Sequence, residues 1–252
     1  MTDAKTLAYI NLFAVLGSLE NLCALDPAAG ALLRSRKPLR LGIAVKGGPA
    51  ATFAFADGAC TMEEGAARCD IRLPFSSCEK FNGMIDGTVT PIPSKGFTHI
   101  GFLTKDFTAL TNLLTRYLKA SPEDLADETF FRISTSLMFY TIAAAISQIG
   151  NHDRIGRFSA SNLMDGTVML SIKGGPAAAV TVTDHTLRTV KERPREPRAI
   201  MEFADMRLAR DLFEGKVNSF ACIGTRRIEM RGMISMIDNI NRMLDRVAQY
   251  LA

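Results

Sequence analysis

The sequence predicts two α+β domains in tandem, each a mostly antiparallel sheet of about five strands covered by helices on one face. The hexapeptide KGGPAA occurs at residues 46–51 and again at residues 173–178 of a 252-residue chain. Each copy lies between two alternating apolar runs, and each half opens with an apolar helical pattern. These observations predict a duplicated unit, with a domain at 1–120, a polar linker at 121–129 and a second domain at 130–252.

The composition is that of an ordinary globular protein, with 47% hydrophobic and 22% charged residues, so disorder is excluded. The net charge of +4 is well below that of a dedicated nucleic-acid binder. The five cysteines lack CxxC spacing, which argues against a disulfide framework and against a zinc site. We therefore expect a cytoplasmic protein with no nucleic-acid partner.

The apolar run at residues 7–22 is similar to a signal peptide, but Asn11 interrupts it and no small-residue cleavage site follows. A comparable apolar segment at residues 136–150 occupies the corresponding place in the second half, where a signal peptide is impossible. No stretch reaches the roughly 18 consecutive apolar residues of a membrane span. The sequence therefore predicts a soluble protein.

The first element of each half is an amphipathic helix, because apolar residues recur near i, i+3, i+4 and i+7. These residues are Leu12, Phe13, Leu16, Leu19 and Leu22 in the first half, and Leu137, Phe139, Ile142, Ile146 and Ile149 in the second.

Three strands follow in each half, and KGGPAA is predicted to form the turn between the first two. Gly-Gly supplies unrestricted φ angles, and Pro49 or Pro176 has no amide proton for a ladder. The runs that carry these strands are residues 39–48, 50–58 and 67–75, and residues 167–175, 177–185 and 198–206.

A helix, a fourth strand and a last amphipathic helix complete each half. The first of these helices begins at an N-cap, Ser76 or Asp205, and ends at a glycine, Gly87 or Gly215. The fourth strands are predicted at 97–103 and 226–232, and the last helices at 105–119 and 233–251. One strand of the expected five is then missing; residues 72–75 or the segments around Val89 and Val217 are its expected places.

Residues 201–236 resemble the sterol carrier protein type 2 lipid-transfer domain family. That family combines a short strand, an acidic turn, a helix, the word G-K-hydrophobic-[ND], an alanine, a glycine and a strand that closes on a second glycine. The matching residues are Phe203, Asp205, Leu212, Phe213, Gly215, Lys216, Val217, Asn218, Ala221, Gly224, Ile228, Met230 and Gly232. In the first half Gly87, Val89 and Gly96 occupy the positions of Gly215, Val217 and Gly224, and Thr104 replaces the closing glycine.

The resemblance implies an apolar tunnel for a fatty acid, an acyl-CoA or a sterol-like lipid, and hence binding or transfer of such a ligand without catalysis. Twelve methionines suit a cavity of this kind, because methionine adapts to irregular ligands. The predicted lining residues are Leu208, Leu212, Phe213, Phe220, Met230, Met233 and Ile237 in the second half, and Phe81, Ile85, Phe97, Phe102, Phe107 and Leu110 in the first. The alternative is a protein-interaction scaffold or accessory subunit whose cavities are filled by its own side chains.

A basic loop at residues 190–198 contrasts with its acidic counterpart at residues 60–68. Its cations are candidates to meet the phosphates of coenzyme A or an anionic membrane surface; a solvated hairpin loop is the other interpretation. The four cations are Lys191, Arg193, Arg195 and Arg198.

Catalysis is not predicted, and neither a metal nor a cofactor is expected. The only conceivable nucleophile and base are Cys78 and His99, but Met206 stands opposite Cys78 in the repeat. The glycine-rich hexapeptide fails as a phosphate loop, since it lacks a GKS or GKT ending and lies between strands. An enzyme acting on acyl-thioesters would rest on fold analogy alone.

Overall fold

The computed structural model describes residues 2–34 and 36–251, except for the side chains of residues 219 and 220. The chain divides into two compact units, unit 1 from Asp3 to Ile133 and unit 2 from Ser134 onward. Each unit combines one β-sheet with helices, which confirms the predicted α+β class. The predicted borders at residues 120 and 130 remain a prediction.

The sheet of unit 1 has the strand order β3-β2-β1-β4, in which β1 and β4 are parallel and the other pairs are antiparallel. Its strands are β1 (Leu39–Val45), β2 (Ala50–Ala56), β3 (Ala59–Glu64) and β4 (Ile71–Phe75). Its α-helices are α1 (Ala4–Tyr9), α2 (Leu19–Leu25), α3 (Pro27–Arg34), α4 (Cys78–Ile85) and α5 (Thr108–Leu118). Single π-helical turns at Ile10–Val15 and Phe102–Phe107 and 3-10 turns at Leu16–Ser18, Phe97–His99 and Asp124–Ala126 connect or extend these helices.

The sheet of unit 2 has the order β7-β6-β5-β8-β9, again with one parallel pair, β5 and β8. Its strands are β5 (Gly166–Ile172), β6 (Ala177–Thr183), β7 (Thr186–Val190), β8 (Ala199–Phe203) and β9 (Ile228–Gly232). The helices are α6 (Glu128–His152), which begins before the border of the units, α7 (Arg154–Ser161), α8 (Met206–Phe213), α9 (Ser219–Gly224) and α10 (Ile234–Leu251).

KGGPAA is the turn of the first hairpin in each unit, as predicted. The amide of Gly48 donates to the Val45 carbonyl at 3.0 Å, and that of Gly175 to the Ile172 carbonyl at 2.9 Å. The preceding residues, Gly47 and Gly174, have φ angles of 72° and 70°, which only glycine adopts without strain.

The second glycine of the motif is required for a different reason. A methyl group at Gly48 would lie 2.7 Å from the Cys78 sulfur, and one at Gly175 would lie 2.7 Å from the Met206 sulfur. The first residue of α4 in unit 1, and of α8 in unit 2, therefore packs directly on the turn. This close approach explains why two adjacent glycines stand in each copy.

The missing fifth strand is β7, and its counterpart β3 lies in the segment that we interpreted as an acidic loop. Both are edge strands with few buried residues, so the alternation of apolar and polar residues along them is weak. Two-residue turns with positive φ precede them, Asp57-Gly58 and Asp184-His185. The proposed places at residues 72–75 and around Val89 and Val217 were therefore wrong, since residues 72–75 belong to β4.

The strand predicted at residues 97–103 is wrong, because this segment is helical. Gly96 and Gly232 both have φ of 86°. Gly96 lies close to the carbonyl oxygen of Asp70, just before β4, and Gly232 lies close to that of Arg198, just before β8. Gly96 is therefore the counterpart of Gly232 and not of Gly224, and Thr104 is not the closing position. In unit 2, β9 pairs with β8. In the described part of unit 1, the corresponding edge of β4 carries only an isolated bridge between Arg72 and Lys95.

The N-cap predictions hold for one helix of the two. Asp205 accepts a hydrogen bond from the Leu208 amide at 2.7 Å and caps α8. In unit 1 the cap of α4 is Ser77, which accepts from the Lys80 amide, and not Ser76. The two serines are adjacent, so the sequence pattern allowed either.

Two helical segments in the described chain, Ala4–Leu25 and Glu128–His152, have the length and mean hydropathy of a membrane span. Buried residues make up 61% of the most apolar window of the first segment and 44% of that of the second. Both segments carry buried polar residues, among them Asn11 and Ser134. Core helices of globular proteins pass the same test of length and composition.

Candidate functional site

The inner face of the unit 2 sheet is apolar at its β8 and β9 edge. Cross-strand partners share a face, and here the partners are Met201 with Met230 and Phe203 with Ile228. Met201, Phe203 and Ile228 are buried, whereas Met230 is half-buried. This edge therefore forms an apolar floor with a partly accessible border.

Helix α8 covers one end of this floor. Leu208 is fully buried, and the ring of Phe213 lies 5.8 Å from that of Phe203 and 6.4 Å from that of Phe139. Leu212 and Phe213 are half-buried. The C-terminal end of α8 thus presents apolar surface both to the floor and to solvent.

Helix α10 follows β9 directly and packs against β8 and β9. Met236, Ile237, Ile240 and Met243 are each at most 1% exposed, whereas Met233, just before the helix, is half-buried. The amide of Met233 donates to the Arg198 carbonyl at 2.9 Å, which fixes the start of the helix.

The predicted lining residues of unit 2 therefore fall into two groups. Leu208 and Ile237 are core residues, and Leu212, Phe213, Met230 and Met233 are half-buried apolar residues on the elements that border the floor. Phe220 lies outside the residues whose side chains the structure describes. That all of them line one cavity remains a prediction.

Four of the six lining residues predicted in unit 1, Phe81, Phe102, Phe107 and Leu110, are buried. Phe81 and Leu110 are 0% exposed. The ring of Phe102 lies 5.1 Å from Phe55, and that of Phe107 lies 6.3 Å from Phe55. Ile85 is half-buried, and Phe97 is 62% exposed. Phe102 and Phe107 therefore pack against Phe55 of β2, whereas Phe97 lies mostly in solvent.

Helix α8 carries a buried arginine that was not predicted. Arg210 on α8 is 3% exposed and donates to the Ser134 hydroxyl at 2.7 Å and to Glu214 at 2.5 Å. Burial acts to raise the pKa of Glu214, but hydrogen bonds from Lys216 and Arg210 outweigh it, so this pKa lies below its usual value. The spacing of Arg210 and Glu214 along the helix is the only sequence signal of this pair.

The basic loop of unit 2 is attached to the outer face of its sheet. The Arg193 guanidinium lies 3.8 Å from Glu202, which alternates with the inward-facing Met201 and Phe203. The side chain of Arg198 lies against Gly166, and Lys191 has contacts of its own. Arg195 is exposed. The loop therefore does not present its four cations as one free patch.

The pair considered for catalysis shows no activation of the cysteine. Cys78 is buried against the KGGPAA turn, and burial followed by the nearby Glu79 raises the pKa of its thiol. A raised pKa disfavours the thiolate that a nucleophile requires. His99 is exposed on a 3-10 turn and not in the predicted strand. Among the described residues, no group of three or more His, Cys, Asp or Glu is placed to hold a metal ion.

In both units a tyrosine of the last helix donates to a carboxylate at the start of an earlier helix, α3 in unit 1 and α7 in unit 2. In unit 1 the Tyr117 hydroxyl donates to Asp26 at 3.1 Å, and in unit 2 the Tyr250 hydroxyl donates to Asp153 at 2.8 Å. Burial, the hydrogen bond to Asp26 and its negative charge raise the pKa of Tyr117 to about 12. The members of each pair are far apart in the chain, so no sequence pattern predicts them.

Unit 2 adds a cation to this link. Arg246 donates to Asp153 at 2.8 Å, and Asp153 also caps α7 by accepting from the amides of Ile155 and Gly156 at 2.9 Å. Burial acts to raise the pKa of Asp153, but hydrogen bonds from Arg246, the Gly156 amide and Tyr250 outweigh it and lower this pKa to about 2. The cluster therefore holds α7 and α10 together through a buried charge pair.

Comparison with known proteins gives structural likenesses only. No protein-family model and no curated protein matches the sequence. Unit-sized parts of the chain are similar to solved sterol carrier domains. A "UbiJ-SCP2 Ubiquinone synthesis protein" is 14% identical, with 42% of this chain and 91% of that chain covered and a TM-score of 0.34.

Two further likenesses are of the same kind. The sterol carrier protein domain 2 of Helicoverpa armigera is 10% identical, with 44% of this chain and 89% of that chain covered and a TM-score of 0.37. Sterol carrier protein 2 from Yarrowia lipolytica is 15% identical, with coverage of 45% and 91% and a TM-score of 0.33.

Proposed function

We propose that unit 2 binds the hydrocarbon part of a lipid on the inner face of its sheet and transfers it without chemical change. The half-buried apolar residues Leu212, Phe213, Met230 and Met233 around a buried apolar floor are the observation that carries this proposal. Each methylene that such a site buries contributes about 0.8 kcal/mol, so a partly buried long chain suffices for micromolar affinity.

We further propose that the two units are diverged copies of one lipid-carrier-like domain, and that unit 1 no longer carries the ligand. The same hairpin turn, closing glycine and Asp–Tyr link recur in both units. Aromatic side chains pack against one another in the core of unit 1, and its connection from Gly87 to Gly96 is shorter than that from Gly215 to Gly232. These differences favour unit 2 as the site.

A free fatty acid or a sterol-like lipid suits this site better than acyl-CoA. The basic loop that would meet the phosphates of coenzyme A carries Arg193, which pairs with Glu202 on the opposite face of the sheet from Met201 and Phe203. A role for Lys191 and Arg195 toward phosphate or an anionic membrane would therefore be separate from the site on the inner face.

The proposed carrier acts in the cytoplasm and is not an enzyme. The raised pKa of the Cys78 thiol and the exposed position of His99 support a non-catalytic role. The absence of a cysteine pattern typical of secreted domains supports a reducing compartment.

Displacement of a fluorescent fatty acid tests the proposal, with the full chain as the protein. We expect Phe213→Ala to weaken binding about tenfold or more, because it removes apolar area from the border of the site. Ile85→Ala is the matched control, since Ile85 ends α4 as Phe213 ends α8 and is also half-buried. It should leave the affinity unchanged.

Two outcomes would contradict the proposal. Failure of the wild-type protein to bind at tens of micromolar would exclude a carrier and would favour a scaffold with filled cavities. Equal loss in the Phe213→Ala and Ile85→Ala variants would place the site elsewhere or reflect a general loss of folding, and thermal unfolding of each variant distinguishes these two causes.

A further inference from the structure

Unit 1 carries three large apolar side chains in solvent on one short segment. Ile92 is 74% exposed, Phe97 is 62% exposed and Ile100 is 50% exposed. Phe97 and Ile100 are three residues apart at the start of the last helical segment, so they share one face of its first turn. We call these three residues the apolar tip.

The segment that carries the apolar tip is held firmly by the adjacent edge strand. The amide of Ser94 donates to the Arg72 carbonyl at 2.8 Å, and the amide of Arg72 donates to the Lys95 carbonyl at 3.1 Å. The Lys95 ammonium donates to the Cys69 carbonyl at 2.6 Å. With Gly96 closely packed against Asp70, the backbone on which Phe97 stands is fixed. The tip is therefore presented by folded structure.

The segment that carries the apolar tip has a positive net charge, while Asp70, whose carbonyl Gly96 approaches, is an exposed acidic residue beside it. Residues 87–105 contain Lys95 and Lys105 but no aspartate or glutamate. Arg72, the strand partner of Lys95, is also exposed. The next acidic residue along the chain, Asp106, is buried and paired with Arg36 at 2.9 Å. An exposed apolar surface with cations beside it is complementary to an anionic lipid bilayer, whose headgroups attract lysines while its interface accepts the apolar side chains.

We propose that the apolar tip docks unit 1 onto the surface of an anionic lipid bilayer. Ile92, Phe97 and Ile100 enter the interface, and Lys105 and Arg72 contact the headgroups. Lys95, whose ammonium also donates to the Cys69 carbonyl, adds its positive charge. This role is independent of lipid carriage by unit 2, because it needs neither the inner face of that sheet nor a bound ligand. It also differs from docking through the basic loop, which offers cations without large apolar side chains.

Co-sedimentation of the full chain with vesicles tests the proposal. The vesicles contain phosphatidylcholine alone or with phosphatidylglycerol at about 30 mol%. We expect binding to the anionic vesicles that weakens as salt rises, because the Debye length falls from about 10 Å at 0.1 M to about 3 Å at 1 M. The double variant Phe97→Ser/Ile100→Ser should bind about tenfold more weakly, with an unchanged unfolding midpoint because both side chains are exposed.

A matched control lies on α7, where Ile155 is 48% exposed and Phe158 is 65% exposed at the same spacing. The variant Ile155→Ser/Phe158→Ser should retain wild-type binding. The proposal would be overturned if this control lost binding as strongly as the tip variant, or if the tip variant bound normally. It would also fail if the tip variant changed only the oligomeric state in sedimentation velocity, because the partner would then be a second copy of the chain.

Discussion

Replacing Arg246 by methionine should destabilise unit 2 more than any exposed charge substitution on the same helix. Arg246 is 8% exposed and donates two hydrogen bonds to Asp153, which is 3% exposed. Methionine keeps most of the volume but leaves the carboxylate with Tyr250 and two backbone amides. A buried carboxylate that loses its cation retains its desolvation cost without compensation.

Two estimates give the size of the expected loss in unfolding free energy. Breaking one partner of a buried ion pair costs about 3–5 kcal/mol. The pKa of Asp153, about 2 instead of 3.8, corresponds to about 2 kcal/mol of preference for the charged form in the folded state. Since Tyr250 and the amides of α7 still stabilise the carboxylate, we expect a loss near the lower end, about 3 kcal/mol at pH 7.

The same link predicts the direction of the pH dependence. The folded-state pKa of Asp153 is lowered, so its contribution is fully present above its ordinary value of 3.8 and is lost as pH falls toward about 2. The difference in unfolding free energy between wild type and Arg246→Met should therefore shrink between about pH 5 and pH 2.

Fluorescence can follow unit 2 alone, because the chain has no tryptophan. Phe158 on α7 is 65% exposed, so Phe158→Trp provides a reporter for urea unfolding in that unit. Arg242→Met is the control, since Arg242 pairs with Asp238 at 3.0 Å in solvent, and it should cost at most about 0.5 kcal/mol. Equal losses for the two arginine variants, or no loss for Arg246→Met at pH 7, would refute this account of the cluster.

Further predictions concern the glycines. Gly175→Ala should destabilise unit 2 by about 1–3 kcal/mol in urea unfolding, because its methyl group would lie 2.7 Å from the Met206 sulfur, and adding Met206→Ala should cost less than the sum of the two single losses. If that double variant shows strict additivity, the sulfur contact is not the cause. Gly96→Ala should destabilise unit 1 by more than about 1 kcal/mol, because φ is 86° and the added methyl group would lie 2.5 Å from the Asp70 carbonyl oxygen. Gly101→Ala is the control; its methyl group would meet nothing within 4 Å, so thermal unfolding should show a neutral or stabilising effect.

The features predicted correctly from the sequence are those that depend on residues close together in the chain. The hairpin turn at KGGPAA follows from the φ freedom of Gly47 and Gly174 and from the missing amide of the following proline. The first helices follow from their apolar period, and four of the five residues predicted for the second half, all except Ile142, are buried in α6. Local pattern and burial agree at these places, so the α+β class could be predicted.

The errors arose where spacing alone cannot decide. Gly96 was aligned with Gly224 because both follow a Gly-x-hydrophobic word, but only the contact of Gly96 with the Asp70 carbonyl identifies it as the closing glycine. The strands β3 and β7 were missed because their exposed sides are polar and they lie at sheet edges. The turn Asp57-Gly58 was a usable signal for β3.

The candidate site and the buried polar clusters of unit 2 illustrate both situations. The pattern of α8 and β9 placed Phe213 and Met230 on the right elements, because their apolar positions recur with the helix and strand periods. Arg210, Ser134 and the Asp153–Arg246 pair come together only through the tertiary fold, and no period in the sequence connects residues so far apart.

In each unit a glycine after a helix and the closing glycine bracket a connection that could be exchanged between the units. Gly87 and Gly96 bracket a short segment in unit 1, and Gly215 and Gly232 bracket a longer one with α9 and β9 in unit 2. All four glycines have φ between 70° and 86°, so each segment starts and ends on the same backbone geometry. Grafting residues 216–231 in place of residues 88–95 would ask whether ligand capacity can be transplanted with that module, and the chain itself supplies donor and acceptor.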